Sequence, residues 1–511
     1  MLFDQLNKWK EGNRLEFKLA RGGFPKSFWE TYSAFANTAG GIVVLGIEET
    51  PDGPKAVGVP NPEALVQDLW NGLNNPQTVS ANLLLDSDVS IEDVGGAKLV
   101  VIKIPRAERA LRPVFINNSL NAGAFRRNGE GDYRCTMEAV RSMVRDSADG
   151  AIDKEALGRV GLDALSTDSV RAYRNEFAVI RPNHPWAKLP DEEFLLRLGA
   201  IGRSTEDGRL HPTKAGLLMF GEAWRITDEF PNYFLDCRQI SGLRRWDNRI
   251  TSDSGEWSGN VYDFWKKAYL MLCEGLPRPF ELGPGMTRID DTPQHKAVRE
   301  GLTNALVHAD YYGRTGVVAI RRQRIVELSN PGCLRLPAEV VEGGGVSDPR
   351  NKTLMTMFNL IGEGDKAGSG FDVFRSAASY AGVAGPKLEE FLDPDRTKLT
   401  LHIETDGSNL SDLVGSRVEM GADHDTVSRV ESSQTNDGNV GNVGNTNVGN
   451  VGNTEDVVLQ CIQVDNTASA GSIAEQSGLS RRQIERTMRK LRESGRIERI
   501  GGTRGYWKIN E

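Results

Sequence analysis

At 511 residues the chain is too long for one hydrophobic core, and 39% apolar with 26% charged residues is ordinary for globular domains, which excludes a wholly disordered chain. The 62 Lys and Arg against 70 Asp and Glu leave a formal charge of −8, which argues against a nucleic-acid coat but not against a local basic patch. No stretch approaches the roughly 20 apolar residues of a bilayer span, and the opening MLFDQLNKWK lacks the apolar run of a secretory signal, so the expectation is a cytoplasmic protein with no membrane segment. Cysteines at 135, 237, 273, 333 and 461 stand singly without a CxxC pair, so they read as buried or incidental thiols.

Strands and helices interleave along the chain, which predicts a multidomain α/β and α+β fold. Composition divides it into a first block at 1–145, a mixed connecting region at 150–290, a third block at 291–404, a Gly/Asn/Val-rich flexible linker at 405–454 and a tail at 455–511.

In the first block, EGNRLEFK (11–18) ends in an alternating LEFK that fits a strand turning Leu15 and Phe17 to a core and Glu16 and Lys18 to the opposite face. KSFWETYSAFANTA then places Phe28, Tyr32, Phe35 and Ala36 near helical spacing, and Gly40-Gly41 is expected to end that helix before the strand IVVLGI. Glu48 and Glu49 follow that strand. Glu11, Glu16 and one of Glu48 or Glu49, with Lys18, make the set a metal-dependent phosphodiesterase needs: oxygens for Mg²⁺ or Mn²⁺ and a cation for the phosphate. A solvated strand face explains the same spacing.

LEFK, AFANTAGGIVVLGIEE and GAFRRNGE, in that order, resemble the Schlafen AlbA (AlbA_2) domain over roughly residues 10–140. The resemblance implies an AlbA_2-like N-domain and a carboxylate site at Glu11, Glu16 and Glu48 or Glu49 able to cut RNA, with tRNA-like substrates leading. It departs from the family's nucleases in the third acid, usually Asp. Lys18 would meet the scissile phosphate, and Arg126 and Arg127 would contact backbone phosphates.

In the third block, HKAVREGLTNALVHADYY (295–312) sets Val298, Leu302, Ala305 and Leu306 on one helical stripe and Glu300, Asn304 and His308 on another face. A charged helix face explains that spacing too. With RIVELSNPGCL and GEGDKAGSGF it resembles a GHKL-type ATP-binding α/β sandwich. That resemblance implies that Asn304 holds Mg²⁺, Glu300 acts on water, His308 shares their face, and Asn330 and Gly332 stand near the adenine. The amides around Gly368, Ser369 and Gly370 would close over the phosphates. Asn330 stands where the family has Asp. Arg350, in VSDPRNK, is either a phosphate or intersubunit contact or part of a capped helix start.

The tail reads as helix, helix, turn, helix and a two-stranded wing, a winged helix-turn-helix. Ser480 caps the last helix and Ile484, Met488 and Leu491 form its inner stripe. From 467 onward ten Lys or Arg face five Asp or Glu, a local balance of +5. Arg481, Arg482, Gln483, Arg486 and Arg489 are placed to meet nucleic acid, with Arg504 on the wing; such domains also serve as protein-interaction modules.

The leading expectation is therefore a metal-dependent, Schlafen-type nuclease acting on RNA, regulated by ATP, homo-oligomeric and active in antiphage defence. The alternative is a DNA-binding transcriptional regulator with an ATP-responsive module and no cleavage activity. A purely structural assembly protein would show neither property.

Overall fold

The alternation in LEFK produces a strand. β1 (Leu15–Lys18) runs parallel to β2 (Gly41–Leu45); past Gly46 the chain folds into a hairpin, β3 (Ile47–Thr50) and β4 (Gly53–Ala56). β5 (Val89–Val94) and β6 (Ala97–Ile104) complete a four-stranded sheet in the order β1-β2-β6-β5. A second hairpin follows, β7 (Phe125–Asn128) and β8 (Gly131–Arg134), and then the helix Met137–Ser147. The computed structural model describes residues 12–51, 53–148, 150–242, 245–277, 281–282, 288–289, 291–364, 370–403, 458–459, 461–462, 469–477, 481–494, 496–500 and 506–509.

Phe17 packs with Val44, Leu99 and Val101 on one face of the sheet. Glu16 and Lys18, in register with Val43 and Leu45, lie on the other face, which carries the larger core of Phe28, Tyr32, Phe35 and Leu69. Their face is therefore covered rather than solvated, because β1 is a sheet edge that the β7-β8 hairpin closes. The helix Phe28–Ala36 buries Phe28, Tyr32, Phe35 and Ala36 completely. It stops at Ala36 and not at the glycine pair, since the Asn37 side chain is engaged by Val114 and Phe125. Gly40 then takes φ +70°, where a Cβ would lie 2.8 Å from the Ile104 carbonyl oxygen.

After a short pair, β9 (Ile201–Arg203) and β10 (Leu210–Pro212), come β11 (Leu235–Ile240), β12 (Asn248–Thr251), the pair β13 (Glu281–Leu282) and β14 (Arg288–Ile289), then β15 (Val317–Arg322), β16 (Ile325–Pro331), β17 (Lys387–Leu392) and β18 (Asp395–His402). Six of these form a sheet in the order β12-β11-β15-β16-β18-β17, parallel only at β11 and β15. The boundary expected at 290 has no counterpart in this packing. β11 and β12 belong to the same sheet as β15–β18, and one hydrophobic core runs from Ala164 to Ile403. Trp265 is part of that core, its Nε1 donating to Thr303. The helix Pro293–Val307 buries the predicted Val298, Leu302, Ala305 and Leu306. It lies close to the sheet at Gly301, where a Cβ would come 2.7 Å from Leu328 Cδ1.

The chain falls into two units, Met1–Ser408 and Asn409–Glu511. In the second, helices Ala470–Ser477 and Arg481–Glu493 precede an antiparallel pair, β19 (Ile497–Ile500) and β20 (Tyr506–Ile509). Ile473, Ile484, Met488, Leu491 and Trp507 form its core, so the inner stripe is the predicted one. The linker 405–454 and Ser480 lie outside the described residues. No described helix is long and apolar enough to cross a membrane. All five cysteines are buried.

Candidate functional site

The N-terminal site is built by the segment SAFANT, residues 33–38. Ser33 Oγ accepts from Phe125 N at 3.0 Å, Asn37 Nδ2 donates to Val114 O and Phe125 O at 2.7 and 3.0 Å, and Thr38 Oγ1 accepts from Arg127 N at 2.9 Å. These bonds fix β7 beside β1. Arg127, about 1% exposed, then spans two carboxylates: Nη2 reaches Glu16 Oε2 at 2.7 Å and Nη1 reaches Asp132 Oδ1 at 3.0 Å. It also donates to the Gly12 carbonyl at 3.0 Å and stacks over Phe35. Lys18 Nζ takes the other oxygen, Glu16 Oε1, at 2.9 Å, and Thr31 donates to Asp132 Oδ2 at 2.6 Å. Burial alone would lower the Arg127 pKa; its hydrogen bonds to Asp132 and Glu16 outweigh it and raise it, so the guanidinium stays charged.

The sequence expectation places Glu16 and Lys18 together, and they are. Glu48 sits on the β3-β4 hairpin, paired with Arg21 at 3.4 Å, and Glu49 is exposed there. Glu11 lies outside the described residues. Asp132 was not anticipated; its signal is an acid just past the Asn128-Gly129 turn, which a hairpin folds back over β1. Arg126 and Arg127 do not face a backbone from the surface as expected. Arg127 is consumed by Glu16 and Asp132, and Arg126 pairs with Asp395 of β18 through both terminal nitrogens. Among the described residues no three His, Cys, Asp or Glu side chains are grouped to hold a metal ion, and both Glu16 oxygens already face cations. The described donor set therefore does not fit Mg²⁺ or Mn²⁺.

The second site is a cavity between the helix Pro293–Val307 and the far half of the six-stranded sheet. Six of the residues chosen from sequence line it: Glu300, Asn304, His308, Asn330, Arg350 and Gly370. They are joined there by Arg335, Asp348 and Thr397 and by apolar walls that include Leu328, Leu334, Phe371 and Leu399. Asn304 Nδ2 donates to Glu300 Oε1 at 3.0 Å, and a Cβ at Gly370 would stand 3.2 Å from Asn304 Nδ2 and 3.3 Å from Glu300 Oε1. Glycine is what leaves that space open. Asn330 Nδ2 donates to Pro331 O at 3.2 Å, so its carbonyl oxygen remains an acceptor. Gly332, at φ +96°, backs Arg350, whose Cζ a Cβ would meet at 2.8 Å. Burial, with Arg350 and Arg335 nearby, holds the His308 imidazole down to about 4, so it is neutral at pH 7. Gly368 and Ser369 lie outside the described residues.

In the second unit Arg482, Arg486 and Arg489 are exposed along the helix Arg481–Glu493. Arg481 and Gln483 begin that helix, but their side chains, and Arg504 entirely, lie outside the described residues.

Residues 141–236 match a domain of unknown function (DUF8451). No curated protein matches the chain. Among solved structures, the DIP2311 protein of Corynebacterium diphtheriae shares 16% identity at a TM-score of 0.39, covering 98% of this chain and 92% of that one. The N-terminal domain of an ATP-dependent DNA helicase RecG-related protein from Nitrosomonas europaea shares 33% identity at a TM-score of 0.21, over 27% of this chain and 92% of that domain. At such TM-scores neither likeness decides fold or activity. The remaining match covers the AFANT segment, both hairpins and the Glu16–Arg127–Asp132 cluster: residues 11–136 match the Schlafen, AlbA_2 family.

Proposed function

We propose that this chain is a nucleic-acid-binding protein whose grip is regulated by a purine nucleotide, ATP in the first instance. The observation that carries it is the convergence of Glu300, Asn304, His308, Asn330 and Gly370 on one cavity with Arg335 and Arg350 in its wall. The cavity suits the group: apolar side chains face a base, amides and a neutral imidazole supply directional polar atoms, and two guanidiniums offset anionic charge. ATP when bound would supply a polyphosphate with its Mg²⁺. Asn304, its amide nitrogen held by Glu300, offers a carbonyl oxygen on that side, and Asn330 offers one toward an exocyclic amine. Nucleic-acid binding rests on the AlbA_2 match and on the exposed arginines of the helix Arg481–Glu493, read as the recognition helix of a winged helix-turn-helix acting on DNA. Self-association, a cytoplasmic location and a role as a transcriptional regulator belong to the same proposal. Calorimetric titration with ATP, followed by filter binding to tRNA, single-stranded DNA and duplex DNA with and without ATP, tests it. Saturable ATP binding that changes nucleic-acid affinity is the expected result; no heat at millimolar ATP would sink it.

A second reading is kept because Glu16 and Lys18 do meet, with Asp132 beside them. It is a Schlafen-type nuclease acting on RNA, in defence against foreign nucleic acid. No step through a metal follows from the described donors. Mn²⁺-dependent cleavage of tRNA that disappears in Glu16→Ala would put this reading first.

A further inference from the structure

The AlbA_2 domain holds the cavity by its walls. Arg106 Nη2 donates to Leu334 O at 2.6 Å, Arg112 Nη2 to Arg335 O at 3.1 Å, and Arg109 Nε to Asp348 Oδ2 at 2.7 Å. The helix Met137–Ser147 follows directly on the AlbA_2 match: Asp146, just before its end, takes Arg350 through two bonds, Nε to Oδ1 at 2.8 Å and Nη2 to Oδ2 at 2.7 Å. Its backbone carbonyl accepts from Arg335 at 2.9 Å and from Arg109 at 3.0 Å. Cations at a helix C-terminus complement its dipole, so this end is held by charge. Arg350 is also tied to the carbonyls of His308 and Cys333, both of which line the cavity. Arg335 Nε is buried and makes no hydrogen bond, but it stands 3.8 Å from Asp146 Oδ1 and 3.6 Å from Asp348 Oδ2, so Asp146 shares this guanidinium through an ion pair as well as through its backbone carbonyl.

We infer that Asp146 is an internal anion that competes with the cavity's ligand for Arg350 and Arg335, so that a phosphate-bearing nucleotide loosens the end of the helix Met137–Ser147 and reports its presence to the AlbA_2 domain. This deepens the nucleotide reading above and rests on it. Arg350 is paired with Asp146, Arg335 with both Asp146 and Asp348, and a polyphosphate carries several charges against these two carboxylates. Whatever attraction the ligand gains there, the helix end loses. The coupling is reciprocal: weakening Asp146's hold must strengthen the ligand's.

Calorimetry and amide hydrogen exchange on the full chain separate the outcomes, with ATP and adenosine as probes. The expected result is that both bind, while ATP alone speeds exchange at residues 144–148. Asp146→Asn is expected to tighten ATP binding roughly five- to tenfold and to abolish the ATP-dependent change in exchange. Wild-type exchange requires no variant, so the test survives an Asp146→Asn chain that fails to fold. ATP binding with unchanged exchange at 144–148, or equal changes with adenosine, overturns the inference and leaves the nucleotide reading standing. Absence of any ATP binding overturns both.

Discussion

Arg127 shows how far one side chain can depart from what its neighbours in sequence suggest. Within GAFRRNGE it looks like an exposed arginine near a turn, but the fold buries it between Glu16 and Asp132, each within 3.0 Å of it. Removing the shared partner of such a network is costly: Arg127→Ala leaves Glu16 to Lys18 and Asp132 to the Thr31 hydroxyl, both part-buried, and should cost about 3–5 kcal/mol. Urea denaturation measures this, and an unchanged midpoint would mean the cluster is not holding β7 to β1. Arg127→Lys should recover only part of the loss, because an ammonium cannot span two carboxylates as a planar fork does. His308 makes a different prediction. Its folded pKa of about 4 lies below the unfolded value near 6.5, so between those limits the unfolded chain binds more protons. Its contribution is therefore fully present above pH 6.5 and is lost as pH falls toward 4, by at most about 3 kcal/mol. His308→Gln should flatten the pH dependence of thermal unfolding across that window; parallel curves for the two proteins would rule it out.

At the level of elements, the periodic segments were the legible ones. The helix Phe28–Ala36, the helix Pro293–Val307 and the strand β1 follow from spacing alone, because each buries one side of a regular repeat and the apolar residues name that side. The end of the first helix was misread. Gly40-Gly41 is a strong local stop, yet Asn37, which binds Val114 and Phe125 far along the chain, ends the helix first. Glu48 and Glu49, expected to follow the Gly-Gly strand, do leave the sheet: past Gly46 at φ +98° the chain turns into its own hairpin, where Glu48 pairs with Arg21. Glu300, Asn304 and His308 do reach one cavity, because two sit on one helix and the third is its C-cap, and helical spacing carries them to one face whatever surrounds it.

Over the whole molecule, charge is unevenly spread: an acidic chain ends in a basic helix. If Arg482, Arg486 and Arg489 meet phosphates, replacing all three with Gln should lower the slope of log K against log salt by about 0.9 per lost contact on duplex DNA. Affinity should fall to a similar degree across sequences, while folding stability moves by no more than about 0.5 kcal/mol. An unchanged slope would assign this unit to protein partners instead. The region 150–290 also changes meaning at this scale. Read as a connector, it supplies β11 and β12 to the six-stranded sheet and much of the core beneath it. Its sequence is mixed because its strands are short and separated, and their partner β15 lies about 80 residues downstream of β11.

The amino-acid sequence by itself determined the repeats that make helices and strands, the AlbA_2 motif order, the helix face that carries Glu300, Asn304 and His308, and the basic tail, since each depends on residues within a few turns of one another. Tertiary structure decided which charges meet. Arg127 with Glu16, Arg126 with Asp395 and Asp146 with Arg350 are pairs between distant segments. A charged side chain near the surface is indifferent to its partner's place in the chain, and only the packing of two elements brings the opposite charge within reach.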